Sequence, residues 1–488
     1  MLGQLPYVCA LEKAGIPTMV VDYEDQHNMM KSNALKFGVP ALRYIAASRT
    51  LPGPEDATRL LEPIIDELTR PLTEEEKQSG VHSPSTDRIL FEGTMDEAEA
   101  FYQQTRHIPH PVDAPLSVYT DGLPIRLPTE ERVQEMLKGT SHKADEIIVY
   151  QTDSRGGKKD QEVLFLPKLR MATVEQVAVN AVMAGCKPEQ FPVVLAIAES
   201  GCNVGTTVFF SQWACVSGPI VKEIGMNSGV GTIGPQSPVN SSIGRTYQLL
   251  SINIGGSIPG VNRMSSIGSP FNTAGTCFAE KEDGLPEGWK GLNEEHGFKK
   301  TESCVLVGLA TGGLAGAQFS PGGYRSLQRS GHGGVARRLD VKGIPGPHNW
   351  LEYLTPSLWA GREGGTIFVM VPEMAKHLQE IGFKSKDEVY EWLYQKSFIS
   401  LKEYKWRSWP DEAPTQGWQG IERTSGKHWK ELDDDYMVPL VGSPAQNCII
   451  IAGGDEEVCL QIYGARYMPD PHEIDRFGAE AFGIDAWR

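Results

Sequence analysis

"WACVSGPIVKEIG" (213–225) is the stretch whose reading decides the fold. It reads as a strand, a tight turn and a short helix with Pro219 in its first turn, where the missing amide proton costs nothing. "GGTIFVMVPEMAKHLQEIG" (364–382) repeats the pattern: apolar strand, proline turn, helix, closing glycine. The likeness predicts two similar α/β half-units in the C-terminal part. Around the first copy, "TVEQVAVNAVMAG" (173–185) reads as a helix capped by Thr173 and closed by Gly185. "FPVVLAIAES" (191–200) reads as a strand, and Ser237 and Pro238 open a further helix. "SCVLVGLATGG" (303–313) is a strand entering a glycine turn. Around the second copy, "KDEVYEWLYQKS" (386–397) is a helix and "NCIIIAGGDEEVCLQIYG" (447–464) a strand pair or a strand with its turn.

The N-terminal stretch alternates in the same way. "PYVCALEKAGIPTMVVDY" (6–23) reads as a helix ending at Gly15 and handing over to a strand. Helix 27–38, strand 42–47 and helix 54–70 follow. Alternation at this spacing predicts an α/β fold with mainly parallel sheets flanked by helices. The expected division is a N-terminal α/β domain (1–115), incomplete because its first strand is missing, and a connecting region (116–172). An α/β domain with the site loop (173–330) and a C-terminal α/β domain with a tryptophan-rich insertion at 405–420 (331–488) complete it. Ligands bind at the carboxyl ends of strands in such sheets.

The chain has 488 residues with 22% charged and 40% hydrophobic, an ordinary globular balance. Its net charge of −16 argues against a nucleic-acid partner. No apolar run is long enough for a membrane helix. The 8 cysteines are scattered without a CxxC pair, which fits free thiols in a reducing cytoplasm.

"GVGTIG" (229–234) matches the dinucleotide glycine pattern, but a helix rather than a strand precedes it, so it reads as a structural loop. The larger block 225–245 sets Asn227, Ser228, Gly229, Asn240 and Arg245 among glycines and prolines. Glycine lets backbone approach a ligand, and an arginine there can meet a carboxylate bidentately, so these residues are the expected substrate-binding groups. Glu199 and Cys202 follow the run 191–198, at the place expected for chemistry. Glu199 is an acid–base candidate and Cys202 a nucleophile candidate. Cys277 and Glu280 sit together in "GTCFAEKEDG" (275–284), with Glu280 a second proton-transfer candidate. His332 and His348 lie in glycine-containing loops and are candidates to reach a ligand, although their separation matches no metal spacing.

With these stretches in hand the chain resembles the UGSC family of (seleno)proteins. The carrying residues are "TVEQVAVNAVMAGC" (173–186), "SGPIVKEIGMNSGVGTIGP" (217–235), "VNSSIGRTYQLLSINIGG" (239–256) and "CFAEKE" (277–282). "PTEERVQEMLKGTS" (128–141), "CIIIAGG" (448–454) and "ALEKAGIPTMVV" (10–21) match as well. In the family the last segment follows a strand and loop bearing selenocysteine-Gly-Ser-Cys or its cysteine form. The resemblance implies thiol or selenol chemistry, redox or reductive cleavage of a small organic substrate. The pair would come from a small partner subunit in a hetero-oligomer, or this member has lost it. Two other readings stand beside this one: a metal- or cysteine-assisted lyase or hydratase using Cys277, His332 and His348, and a non-catalytic substrate-binding subunit. The sequence leaves the cofactor open.

Overall fold

The computed structural model describes residues 5–47, 54–78, 88–107, 114–202, 210–259, 275–311, 318–319, 349–354, 365–403, 422, 425–439, 441–454, 459–467, 469 and 478–488. His332, His348 and the tryptophan-rich stretch 405–420 lie outside the described residues.

The chain is a mixed α/β protein. Helix α1 (Leu5–Lys13), strand β1 (Val20–Tyr23), α2 (His27–Lys36), β2 (Tyr44–Ala47) and α3 (Pro54–Thr69) open it. β1 and β2 pair in parallel, and Leu5 and Cys9 of α1 bury against Val20, Met30, Ala34 and Val39. α4 (Met95–Tyr102) carries a complete capping box, Thr94 with Glu97, and a small antiparallel pair β3 (Thr105–Arg106) and β4 (Leu116–Ser117) follows. α5 (Glu130–Leu137) is capped by Thr129, whose hydroxyl accepts from Arg132 N. The strands expected in 144–167 are only isolated bridges, Ile147 with Thr173 and Val149 with Glu162.

α6 (Val174–Ala184) has the expected Thr173 cap, boxed by Gln176, and ends at Gly185 with φ of 91°. The run 191–199 is not a strand but helix α7 (Phe191–Glu199), buried along its whole length. Apolar periodicity does not separate a fully buried helix from a fully buried strand; Pro192 in the first turn is the local signal for the helix.

Strand β5 (Phe210–Ser217) turns at Gly218 into α8 (Ile220–Glu223), and α9 (Pro238–Asn253), β6 (Cys277–Ala279), α10 (Leu292–Glu295), β7 (Cys304–Thr311) and β8 (Gln318–Phe319) follow. After α11 (Trp350–Leu354), β9 (Gly365–Met370) enters α12 (Pro372–Glu380), then α13 (Lys386–Lys396). A small pair, β10 (Phe398–Ser400) and β11 (Met437–Pro439), precedes β12 (Cys448–Ile451), β13 (Cys459–Tyr467) and β14 (Glu480–Gly483).

Two four-stranded sheets result, ordered β14-β7-β5-β6 and β12-β9-β13-β8. They are mixed rather than mainly parallel. β5 runs parallel to β6 and antiparallel to β7, and β9 runs parallel to β12 and antiparallel to β13. Sequence patterning reports burial on both faces of a strand, not its direction.

Alternate residues of each strand face different layers. Ala214, Val216, Val305 and Val307 pack on α6, α7 and α9, whereas Trp213, Cys215 and Leu306 face the second sheet. Phe368, Met370, Ile449 and Ile451 pack on α12 and α13, whereas Ile367, Val369, Cys448 and Ile450 face the first sheet. The body is therefore helix, sheet, sheet, helix, with a shared apolar layer between the sheets.

Candidate functional site

The carboxyl ends of both parallel pairs meet. Past β6, Lys281 N donates to Ile451 O at the end of β12 (2.7 Å). Glu280 N donates to Val216 O of β5 (2.8 Å), and Ala452 N to Met370 O of β9 (3.0 Å). The glycine-rich loop lies over the same place, because Gly453 N donates to Ser228 O (2.9 Å). A crevice outside strand carboxyl ends is where open α/β sheets take ligands.

Asn240 builds that loop. Its Oδ1 accepts from Asn227 N (3.1 Å) and Ser237 Oγ (2.9 Å), and its Nδ2 donates to Asn227 O (2.8 Å) and Thr232 O (3.1 Å). Asn227 accepts from Gly229 N (3.0 Å) and donates to Val230 O (2.9 Å). Both amides, expected to bind substrate, are thus engaged in shaping the loop. Thr232 Oγ1 ties it to β6 through Ala279 N (3.3 Å). Ser228 and Gly229 remain half-exposed on the loop beside these strand ends. "GVGTIG" forms turns that lead into α9 and follows α8, not a strand, so it lacks the strand–turn–helix frame of a dinucleotide fingerprint.

Glu280 is buried at the end of β6. Its carboxylate accepts from Ser217 Oγ at the end of β5 (2.7 Å) and from Leu292 N (2.7 Å), and Lys386 Nζ lies 3.5 Å away. Lys386, 2% exposed, reaches Glu295 at 2.7 Å. Tyr390 joins in, donating to Glu295 (2.9 Å) and accepting from Ile449 N (2.9 Å). Burial disfavours the lysine's charge, but Glu295 and Glu280 outweigh it and hold the ammonium protonated. Burial pushes the Glu295 carboxyl up, against the pull of Lys386. His296 next to it is kept neutral, at about 4, by burial and then by Lys386 and Arg155. Lys386, Ser217, Glu295 and Tyr390 were missed in the sequence. One signal was there: Lys386 opens a helix, where the positive dipole end makes a solvated cation unfavourable.

No family model, curated protein or solved structure matches the chain.

The remaining candidates stand elsewhere. Glu199 ends α7 on the far side of the first sheet and accepts from Gln151 N (2.7 Å) and Trp487 Nε1 (2.9 Å). Burial pushes its carboxyl up to about 7. Cys202 is fully buried with φ of 46°, and Cys277 is buried in the same helix-side core. Desolvation pushes both thiols well above the usual range, the opposite of what an activated nucleophile needs. All eight cysteines are buried. Arg245 does meet a carboxylate bidentately, but it is that of Asp121: Nε and Nη2 each lie 2.9 Å from an oxygen. It is therefore engaged within the chain rather than held for a substrate. Among the described residues no group of His, Cys, Asp and Glu has a metal-binding arrangement, and no helix is long and apolar enough to cross a membrane.

Proposed function

We propose that the chain is an enzyme subunit that takes a small organic substrate where the carboxyl ends of the two sheets meet, and that the thiol or selenol it works with is supplied by a partner. The observation carrying this reading is the convergence itself. Four strand ends, the glycine-rich loop and the Glu280–Lys386 pair come to one place. Glu280 is the proton-transfer candidate there, and Ser228 and Gly229 are half-exposed beside it on the loop. The buried thiols of Cys202 and Cys277 are poor nucleophiles where they stand, which favours a thiol from outside. Redox or reductive cleavage, the chemistry that the UGSC resemblance implies, is the reaction class proposed. The same strand pattern in both sheets supports the finer reading of two similar half-units.

The partner's place is the N-terminal unit. α1 and the turn after it expose Tyr7 (72%), Leu11 (42%) and Ile16 (51%), an apolar surface of the kind that marks an interaction site. Purification of the untagged chain, with mass spectrometry of what accompanies it, tests this. The expected result is a small chain with a Cys- or Sec-Gly-Ser-Cys segment, lost on Leu11→Arg. A chain that purifies alone and turns over substrate unaided would overturn the partner.

The buried thiols also favour a second reading, a non-catalytic subunit that only holds substrate. Glu280→Gln separates the two: it abolishes turnover by an enzyme and leaves a holding subunit's assembled activity intact.

A further inference from the structure

The two sheets have the same order. A central strand (β5 or β9) enters a proline-led helix; a parallel strand (β6 or β12) flanks it on one side and an antiparallel strand (β7 or β13) on the other. The fourth strands do not stay at home. After β7 the chain leaves the first sheet, and β8 pairs with β13 of the second, Phe319 opposite Cys459 and Gln318 opposite Leu460. After β13 it leaves the second sheet, and β14 pairs with β7 of the first, from Glu480 opposite Val307 to Gly483 opposite Cys304. We propose that this reciprocal exchange interlocks the two halves, so that they move and unfold as one body and no hinge opens between them.

Three further features support the lock. Phe482, Ile484 and Trp487, which follow the second sheet in the chain, are buried in the helix-side core of the first. Their segment is tied there by Ile484 N to Ser303 O (2.9 Å), Asp485 accepting from Ser303 N (2.6 Å) and Arg155 paired with Glu480 (3.6 Å). The faces between the sheets share one apolar layer, in which Trp213 and Phe278 of the first meet Ile367 and Ile450 of the second. At the strand ends, the Lys281–Ile451, Gly453–Ser228 and Lys386–Glu280 contacts cross from one half to the other. A hinge would have to break all of these together. The inference is independent of whether a partner subunit exists.

Buried cysteines stand in both halves: Cys215 and Cys304 in the first sheet, Cys448 and Cys459 in the second, with Cys215 and Cys448 facing the shared layer. The test is pulsed thiol labelling of the full chain across sub-denaturing urea, with each cysteine read by peptide mass spectrometry. The expected result is one labelling rate and one urea dependence for all four. Phe482→Leu, a mild change in the exchanged strand, is expected to raise the rate by the same factor at Cys448 and Cys459 as at Cys215 and Cys304. Labelling of Cys448 and Cys459 tenfold or more faster than the other two, with a shallower urea dependence, would overturn the proposal. So would a Phe482→Leu effect confined to the first pair.

Discussion

The ammonium of Lys386 on α13 lies 3.5 Å from a carboxylate oxygen of Glu280, which stands at the end of β6 in the opposite sheet. Neither group reaches water; Glu280 is also held by Ser217 and Leu292 of its own half, whereas Lys386 finds Glu280 and Glu295 only because the two halves are stacked with these ends together.

Removing the cation is therefore costly. Lys386→Met leaves Glu280 and Glu295 in the interior without their counter-charge, and the expected loss is about 3–5 kcal/mol. Urea unfolding measures it. A loss below about 1 kcal/mol would mean that the carboxylates are held by Ser217, Leu292 and Tyr390 alone.

Glu199 makes stability depend on pH. Burial raises its carboxyl from 4.5 to about 7 in the folded chain. Folding thus favours the protonated form; that stabilisation is complete below the unfolded value and is lost as pH rises through about 7. The expected contribution is about 3 kcal/mol lost between pH 4.5 and 8. Glu199→Gln removes it, so the variant gains on the parent at pH 8 relative to pH 5. Equal differences at the two values, by urea unfolding, would refute the assignment.

Arg245 and Asp121 act on stability rather than on a ligand. Arg245→Ala and Asp121→Asn are each expected to cost about 1–3 kcal/mol, and the double variant much less than the sum. Additive losses in the double-mutant cycle would show that the pair is not coupled.

Gly244 is where α9 presses on β6. A Cβ there would stand 2.8 Å from Cys277 N and 3.0 Å from Thr276 backbone. Alanine normally stabilises a helix interior by about 1 kcal/mol relative to glycine. Here Gly244→Ala is expected to destabilise by about 1–3 kcal/mol, because backbone rather than a side-chain tip must move. A rise in Tm would show that α9 has room to slide.

Local signals were legible where one residue decides the conformation. Thr173 and Gly185 bound α6, Thr129 caps α5, and the Pro219 and Pro372 turns each follow a strand and open a helix, because caps and prolines act within a turn of chain. The alternation that predicted an α/β chain was equally local. Phe191–Glu199 was misread because total burial erases the period that tells helix from strand.

Sequence alone determined which segments are apolar on both faces and where capped helices such as α5 and α6 start or stop. Only the tertiary structure decided strand direction, the exchange of β8 and β14, and which charges face one another. Asp121 claims Arg245, and Lys386 claims Glu280 across two sheets. Such pairings depend on distances between residues far apart in the chain, and no local pattern of residues encodes a distance that arises only when separate layers stack.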